Sequence, residues 1–145
     1  EYNCRFGDPE TQPVLLRLKS DLVSHCMAAL NNSLNREKVE WETRKSLGVV
    51  MASGGYPGNY SNNHPILGLE DISSNYGHKI FHGGTKFADN RLVTNGGRVL
   101  CVTALGDSLE DAKTSAYELV SKISWENVQY RTDIGWRAIE KNREN

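Results

Sequence analysis

Glu1, Asn3 and Arg5 alternate with Tyr2, Cys4 and Phe6 at the start of the chain. Period two is the spacing of a β-strand, whose successive side chains point to opposite faces. In a strand, a carboxylate, a carboxamide and a guanidinium would share one face while Tyr2, Cys4 and Phe6 pack on the other. A carboxylate and a neutral amide offer hard oxygen donors, which Mg2+ takes together with water and substrate phosphates. A guanidinium one step further along can grip a phosphate or carboxylate with two parallel hydrogen bonds. The same pattern also suits the charged face of an edge strand. Gly7-Asp8-Pro9 then ends the segment with turn chemistry.

Three glycine-rich stretches are further candidates: GGYPG at 54–58, HGGT at 82–85 and TNGGR at 94–98. Turn geometry explains most glycines in such places, but a bare backbone also lets a ligand approach closely. Arg98 follows one of these loops and Lys86 another, where each could meet phosphate or serve as a surface charge. His78 and His82 are four apart. Flanking glycines favour a strand there, and four strand residues span about 13 Å. Two nitrogens on one zinc must each lie about 2 Å from the metal, so separate hydrogen-bonded or solvated histidines are expected. No Ser-His-Asp order, G-x-S-x-G elbow or phosphate-loop motif is present.

These residues need a scaffold. Ser20 is a candidate N-cap for a helix of about 14 residues, with Leu22, Val23, Cys26, Met27, Leu30 and Leu34 at helical spacing. Residues 38–43 and 47–52 read as strands, and 53–59 as a loop. A short helix is expected at 69–73 and a strand at 79–82. Asp89-Asn90 and Asn95-Gly96-Gly97 are hairpin turn signals bracketing a short strand at 91–94. Residues 98–104 form the clearest strand. Ser108, with Asp111 three residues on, should cap a helix over 109–123 whose buried stripe is Leu109, Ala112, Ala116, Leu119, Val120 and Ile123. The charged end, 140–145, is expected to fray. The order predicts an α+β fold, with helices packed on a mostly antiparallel sheet.

The chain has 145 residues, enough to bury a core without disulfide staples. A net charge of −1 provides no basic field for nucleic acid. No apolar run approaches the roughly 20 residues of a membrane span, and no signal peptide is visible. The odd number of cysteines, Cys4, Cys26 and Cys101, shows no metal or redox spacing, so reduced thiols in a cytoplasmic protein are expected.

The opening EYNCRFGDPETQP resembles the last metal-binding motif of the ATP-grasp ligases, and in its full form that of the phosphoribosylamine–glycine ligase family. LKSDL, GVVMASGGYPGNY, KIFHGGTK, VTNGGRVLCVTALG and YRTDIGWRAIE are similar to the C-terminal region of that family, in the same order. Gly83, where alanine is usual, and Tyr2, where phenylalanine is common, are departures. The resemblance implies an ATP-dependent carboxylate–amine ligase that joins glycine to 5-phosphoribosylamine through glycyl phosphate, in purine biosynthesis. It implies Glu1 and Asn3 as ligands of Mg2+ or Mn2+, Arg5 at phosphate or acyl phosphate, and Asp8 positioning glycine or its own loop. It also implies a C-terminal fragment, inactive alone, whose ATP clamp lies in the remainder of a parent chain. Residues 1–19 would end the ATP-grasp domain with a remnant strand and helix, and 20–145 would form the C-terminal α+β domain. Another ATP-grasp ligase, or a non-catalytic folded module, stays open.

Overall fold

The computed structural model describes residues 5–73 and 75–143. Glu1, Tyr2, Asn3 and Cys4 lie outside the described residues, as do Ser74 and 144–145. Of the strand expected over 1–6, only Arg5 and Phe6 are described. They form no strand, and Phe6 is exposed instead of packed.

The architecture is α+β around one three-stranded antiparallel sheet. Its strands are β1 (Lys45–Ala52), β2 (His78–His82) and the central β5 (Arg98–Gly106), in the order β1-β5-β2. β5 is the clearest strand in the sequence because it is covered on both faces, and every residue after Arg98 is buried. Cross-strand partners share a face, so Leu47, Val49 and Met51 stand with Ala104, Val102 and Leu100. This face packs against helix α3 (Leu109–Val120), whose Ala112, Ala116, Leu119 and Val120 are buried in the core. The opposite face carries Gly48, Val50, Cys101 and Thr103 and receives helix α1 (Thr11–Arg17). There, a Cβ on Gly48 would already stand 3.3 Å from Pro13 and from Cys101 Sγ.

The capping box of α3 is complete. Ser108 Oγ accepts from the Asp111 N–H at 3.0 Å, and Asp111 Oδ2 accepts from the Ser108 N–H at 3.0 Å. The helix stops at Val120, three residues short of the expected end, although Ile123 is buried. Helix α2 runs only over Leu22–Leu30. Its cap is Asp21, whose Oδ1 accepts from Val23 N–H at 2.7 Å. Ser20 turns away, with Oγ 2.7 Å from His25 Nε2 and accepting from Glu40 N–H. Leu34 falls in a separate 3-10 turn, Leu34–Arg36.

The expected strand at 38–43 is an extended segment that meets its neighbour only at the isolated bridge Leu18↔Trp41. It is tied to the segment after α1 by single bonds and not by a ladder: Lys19 and Ser20 both donate to Glu40 O, and Glu42 N–H donates to Arg17 O. The expected helix at 69–73 is a turn, with Ile72 N–H on Leu69 O. Asp89 (φ 49°) and Asn90 (φ 59°) form the two-residue hairpin loop between β3 (Thr85–Ala88) and β4 (Arg91–Thr94), where left-handed conformations match the strand twist. The second turn signal, Asn95-Gly96-Gly97, closes no hairpin. It carries the chain from the β3–β4 ribbon to the main sheet, because β4 and β5 belong to different sheets. Of the segment expected to fray, residues 140–143 instead belong to helix α4 (Trp136–Arg143), anchored by buried Ile139. Among the described residues, no helix is long and apolar enough to cross a membrane.

Candidate functional site

The three glycine-rich loops meet each other. Asn95 N–H donates to Gly84 O at 2.7 Å, and a Cβ on Gly84 would stand 2.9 Å from the Gly96 Cα. Ser53, at the end of β1, donates its N–H to Gly97 O and its hydroxyl to Gly96 O, both at 2.8 Å. The ring of Tyr56, from the GGYPG loop, packs against Gly97, where an added Cβ would come within 2.1 Å of it. These glycines are therefore explained by close packing of backbone on backbone and ring on backbone. Their effect is to fix the position of the next residue, Arg98.

Arg98 is where the opening segment and the loops join. Its Nη1 lies 3.3 Å from Asp8 Oδ2 and donates to Asp8 O at 3.4 Å, while its guanidinium carbon sits 5.8 Å from the Tyr56 ring centroid. Arg98 lines two cavities. One, of about 280 Å3, is bounded by Asp8, Gln12, Phe81, Gly83 and Cys101. Gln12 has a buried Oε1 with no hydrogen-bond partner among the described residues. Burial raises the Cys101 pKa, opposed by the hydrogen bond with Thr103 and reinforced by the Asp8 charge. The other cavity, of about 560 Å3, is bounded by Pro9, Tyr56, Gln129, Tyr130 and Arg131 over a floor of Gly48, Val50 and Ala52.

The far wall of that second cavity, residues 127–135, is fixed by tertiary bonds. Gln129 exchanges backbone hydrogen bonds with Ala52, and its Nε2 donates to Tyr56 O at 2.7 Å. The Tyr117 hydroxyl, on α3, donates to Arg131 O at 2.6 Å and accepts from Ile134 N–H. Arg131 forks onto Asp133 with bonds of 2.8 and 2.6 Å, which holds the Asp133 carboxyl below the usual aspartate range.

The structure thus brings Asp8 and Arg98 together. Arg5 is exposed and, among the described residues, bonds only to the neighbouring Phe6 O, and Glu1 and Asn3 lie outside the described residues. Lys86 is on β3 and lines neither cavity. His78 and His82 stand on β2 with separate partners, Ser73 O and Thr85 Oγ1. No group of three or more His, Cys, Asp or Glu poised for a metal occurs among the described residues. A larger cavity, about 770 Å3, lies elsewhere, between β2, the β3–β4 hairpin and Ile66–Ile72, with a mainly apolar lining. Tyr56, Gln129, Tyr130 and Arg131 were not singled out individually from the sequence. The only signal for them was their place inside GVVMASGGYPGNY and next to or within YRTDIGWRAIE.

Residues 46–137 match the family model described as phosphoribosylglycinamide synthetase, C domain. The chain is 56% identical over 146 residues to the phosphoribosylamine–glycine ligase of Escherichia coli K12, covering 99% of this chain and 33% of that protein. It is 54% identical to the one of Pseudomonas syringae pv. tomato, with the same coverage. The crystal structure of phosphoribosylamine–glycine ligase from Thermotoga maritima superposes with a TM-score of 0.67 at 34% identity, covering 92% of this chain and 32% of that one. The chain spans about a third of the length of the curated relatives it matches.

Proposed function

The chain belongs to the phosphoribosylglycinamide synthetase C-domain family, and on that premise we propose that it is the C-terminal part of an ATP-dependent ligase joining glycine to 5-phosphoribosylamine. The observation that carries this reading is the Asp8–Arg98 contact, which docks the turn of the opening motif onto the glycine-rich loops. In this reading residues 1–19 end the ATP-grasp domain, and 20–145 form the C-terminal domain.

The chemistry has two steps. The γ-phosphoryl group of ATP passes to a carboxylate oxygen of glycine, giving glycyl phosphate and ADP. The amine of 5-phosphoribosylamine then attacks the acyl carbon. A C–N bond forms, the C–O bond to phosphate breaks, phosphate leaves and the amine loses a proton. Arg5 would hold the phosphoryl oxygens of the acyl phosphate as a bidentate donor. Asp8 would orient Arg98 and the turn that carries Arg5. Holding both reactants in one site converts the amide-forming step into an effectively unimolecular one.

Glu1 and Asn3 provide a carboxylate and an amide oxygen, a donor set that fits Mg2+ or Mn2+. Bound there, the metal would neutralise phosphate charge.

The longer protein that contains this chain should convert ATP to ADP only when glycine and 5-phosphoribosylamine are both present, with glycinamide ribonucleotide detected by mass spectrometry. Turnover with a different carboxylate or amine, and none with this pair, would overturn the substrate assignment. Glu1→Ala should lower kcat by several orders of magnitude, on the order of a lost charge in phosphoryl transfer. Asn3→Ala should lower it less, because a dipole is lost and not a charge.

A further inference from the structure

The cavity between Tyr56, Arg98, Tyr130 and Arg131 is rich in donors and poor in acceptors. It is bounded by two arginines and two tyrosines, and among the described residues no carboxylate lines it. Asp8 and Asp133 are the carboxylates paired with the two arginines, and neither contributes to this lining.

Each carboxylate occupies only part of its guanidinium. Arg98 spends Nη1 on Asp8, so Nε and Nη2 donate to nothing among the described residues. Arg131 spends Nε and Nη2 on Asp133, which leaves Nη1. A guanidinium carries five N–H donors in a rigid fork, so a carboxylate on one edge orients it and leaves donors for a second anion. The Tyr56 and Tyr130 hydroxyls likewise make no hydrogen bond among the described residues. Both ion pairs are largely solvent-exposed, and exposed pairs stabilise a fold little. Their structural value alone does not account for two oriented guanidiniums on one cavity.

The cavity is also built to keep its shape. Its arginines come from opposite walls, one after the stacked loops of 95–97 and the other from the loop fixed by Tyr117 and Gln129. Its floor is the sheet itself, at Gly48 and Val50 of β1. At about 560 Å3 it falls in the size range of small-ligand sites.

We propose that this cavity binds the phosphate end of a phosphorylated sugar, with Arg98 and Arg131 gripping the phosphomonoester and Tyr56 and Tyr130 facing the sugar. The assignment rests on the proposed ligase reading for the identity of that sugar, the ribosyl amine. It requires that the two arginines act on the phosphorylated substrate and not on ATP or glycine.

The test uses the longer protein that contains this chain, with Arg131→Met, Arg98→Met and Arg131→Lys, and with Lys38→Met as a distant surface control. Ribose 5-phosphate, ribose and inorganic phosphate are titrated calorimetrically as probes, and steady-state KM is measured for each substrate. Losing a charged hydrogen-bond donor should weaken ribose 5-phosphate binding and raise KM for 5-phosphoribosylamine about 10- to 100-fold. KM for ATP and glycine should stay within about twofold, since neither is assigned to these donors. Arg131→Lys, which keeps the charge and loses the fork, should fall between wild type and Arg131→Met. Unchanged circular dichroism in the Lys variant separates lost binding from lost folding. Ribose binding as tightly as ribose 5-phosphate, or unchanged ribose 5-phosphate affinity in both Met variants, would overturn the site. Arginine-dependent ribose 5-phosphate binding in a protein with no glycine ligase activity would leave the phosphate site standing and sink the ligase reading.

Discussion

Helices α2 and α3 carry the same signals in the sequence and have opposite fates in the fold. Each has a polar N-cap and apolar residues at helical spacing. α3 buries Ala112, Ala116, Leu119 and Val120 against the sheet. α2 buries only Ala28, and Val23, Met27, Leu30 and the downstream Leu34 are all at least half exposed. The difference is not propensity, since α2 is the more apolar of the two in sequence. α3 follows β5 directly, and its stripe closes onto Leu47, Val49, Val102 and Ala104. The apolar face of α2 has no partner among the described residues. An amphipathic pattern states that a face must be covered, and not by what.

The largest expected effect tests whether the two faces differ in energy. Leu100, buried on the central strand, is replaced in Leu100→Ala, which should destabilise the chain by about 2–5 kcal/mol in urea unfolding, from lost transfer energy and a cavity. Leu30→Ala, on a side chain 76% exposed, should change stability by no more than about 0.5 kcal/mol. Comparable losses from both would mean that α2 is packed in solution. On the proposed reading, the same Leu30→Ala change should cost more in the longer ligase than in this chain.

A smaller effect separates the caps. Ser108→Ala removes the reciprocal capping box of α3 and should cost about 1 kcal/mol. Asp21→Ala removes a single bond to Val23 N–H and should cost less, because fraying at α2 is not coupled to the core. Thermal melts of both variants followed by circular dichroism would rank them. A larger loss at Asp21 would reverse the comparison.

The smallest effect is in pH. Hydrogen bonds from the Ser108 hydroxyl and N–H hold the Asp111 carboxyl below its ordinary value, which is about 3.9 in peptides. A group depressed in the folded state stabilises it above the unfolded pKa and loses that contribution as pH falls through the folded one. Helicity of α3 should therefore hold above about pH 4 and decline below it. Ser108→Ala should move that decline to higher pH. An acid transition that does not shift in Ser108→Ala would detach the carboxyl from the cap.

Within the site, Gly97 and Arg98 show what a sequence can and cannot reveal. TNGGR is visible as a glycine-rich stretch followed by a cation, and turn chemistry is the commoner reading of it, with ligand approach the other. The choice depends on Tyr56, 41 positions upstream, whose ring occupies the space that a Gly97 side chain would need. Arg131 had no signal beyond its place in YRTDIGWRAIE for a related reason: its side chain is set by Asp133 and its carbonyl by Tyr117, 14 positions upstream on α3. Even the hairpin grammar was only half decisive. Asp89-Asn90 has a unique local solution, two left-handed residues, whereas Asn95-Gly96-Gly97 is held by bonds to Gly84 and Ser53.

By itself, the sequence determined what depends on near neighbours. These are the strands at β1, β2 and β5, the capped α3, the β3–β4 turn and the α+β class that they compose. Each follows from side-chain period, capping and backbone conformation within a few residues. The tertiary structure alone decided which faces found cover, which turn closed a hairpin, and which distant groups met at Arg98. Those outcomes turn on where long-range contacts bury surface and satisfy donors, and a linear pattern does not specify its partner.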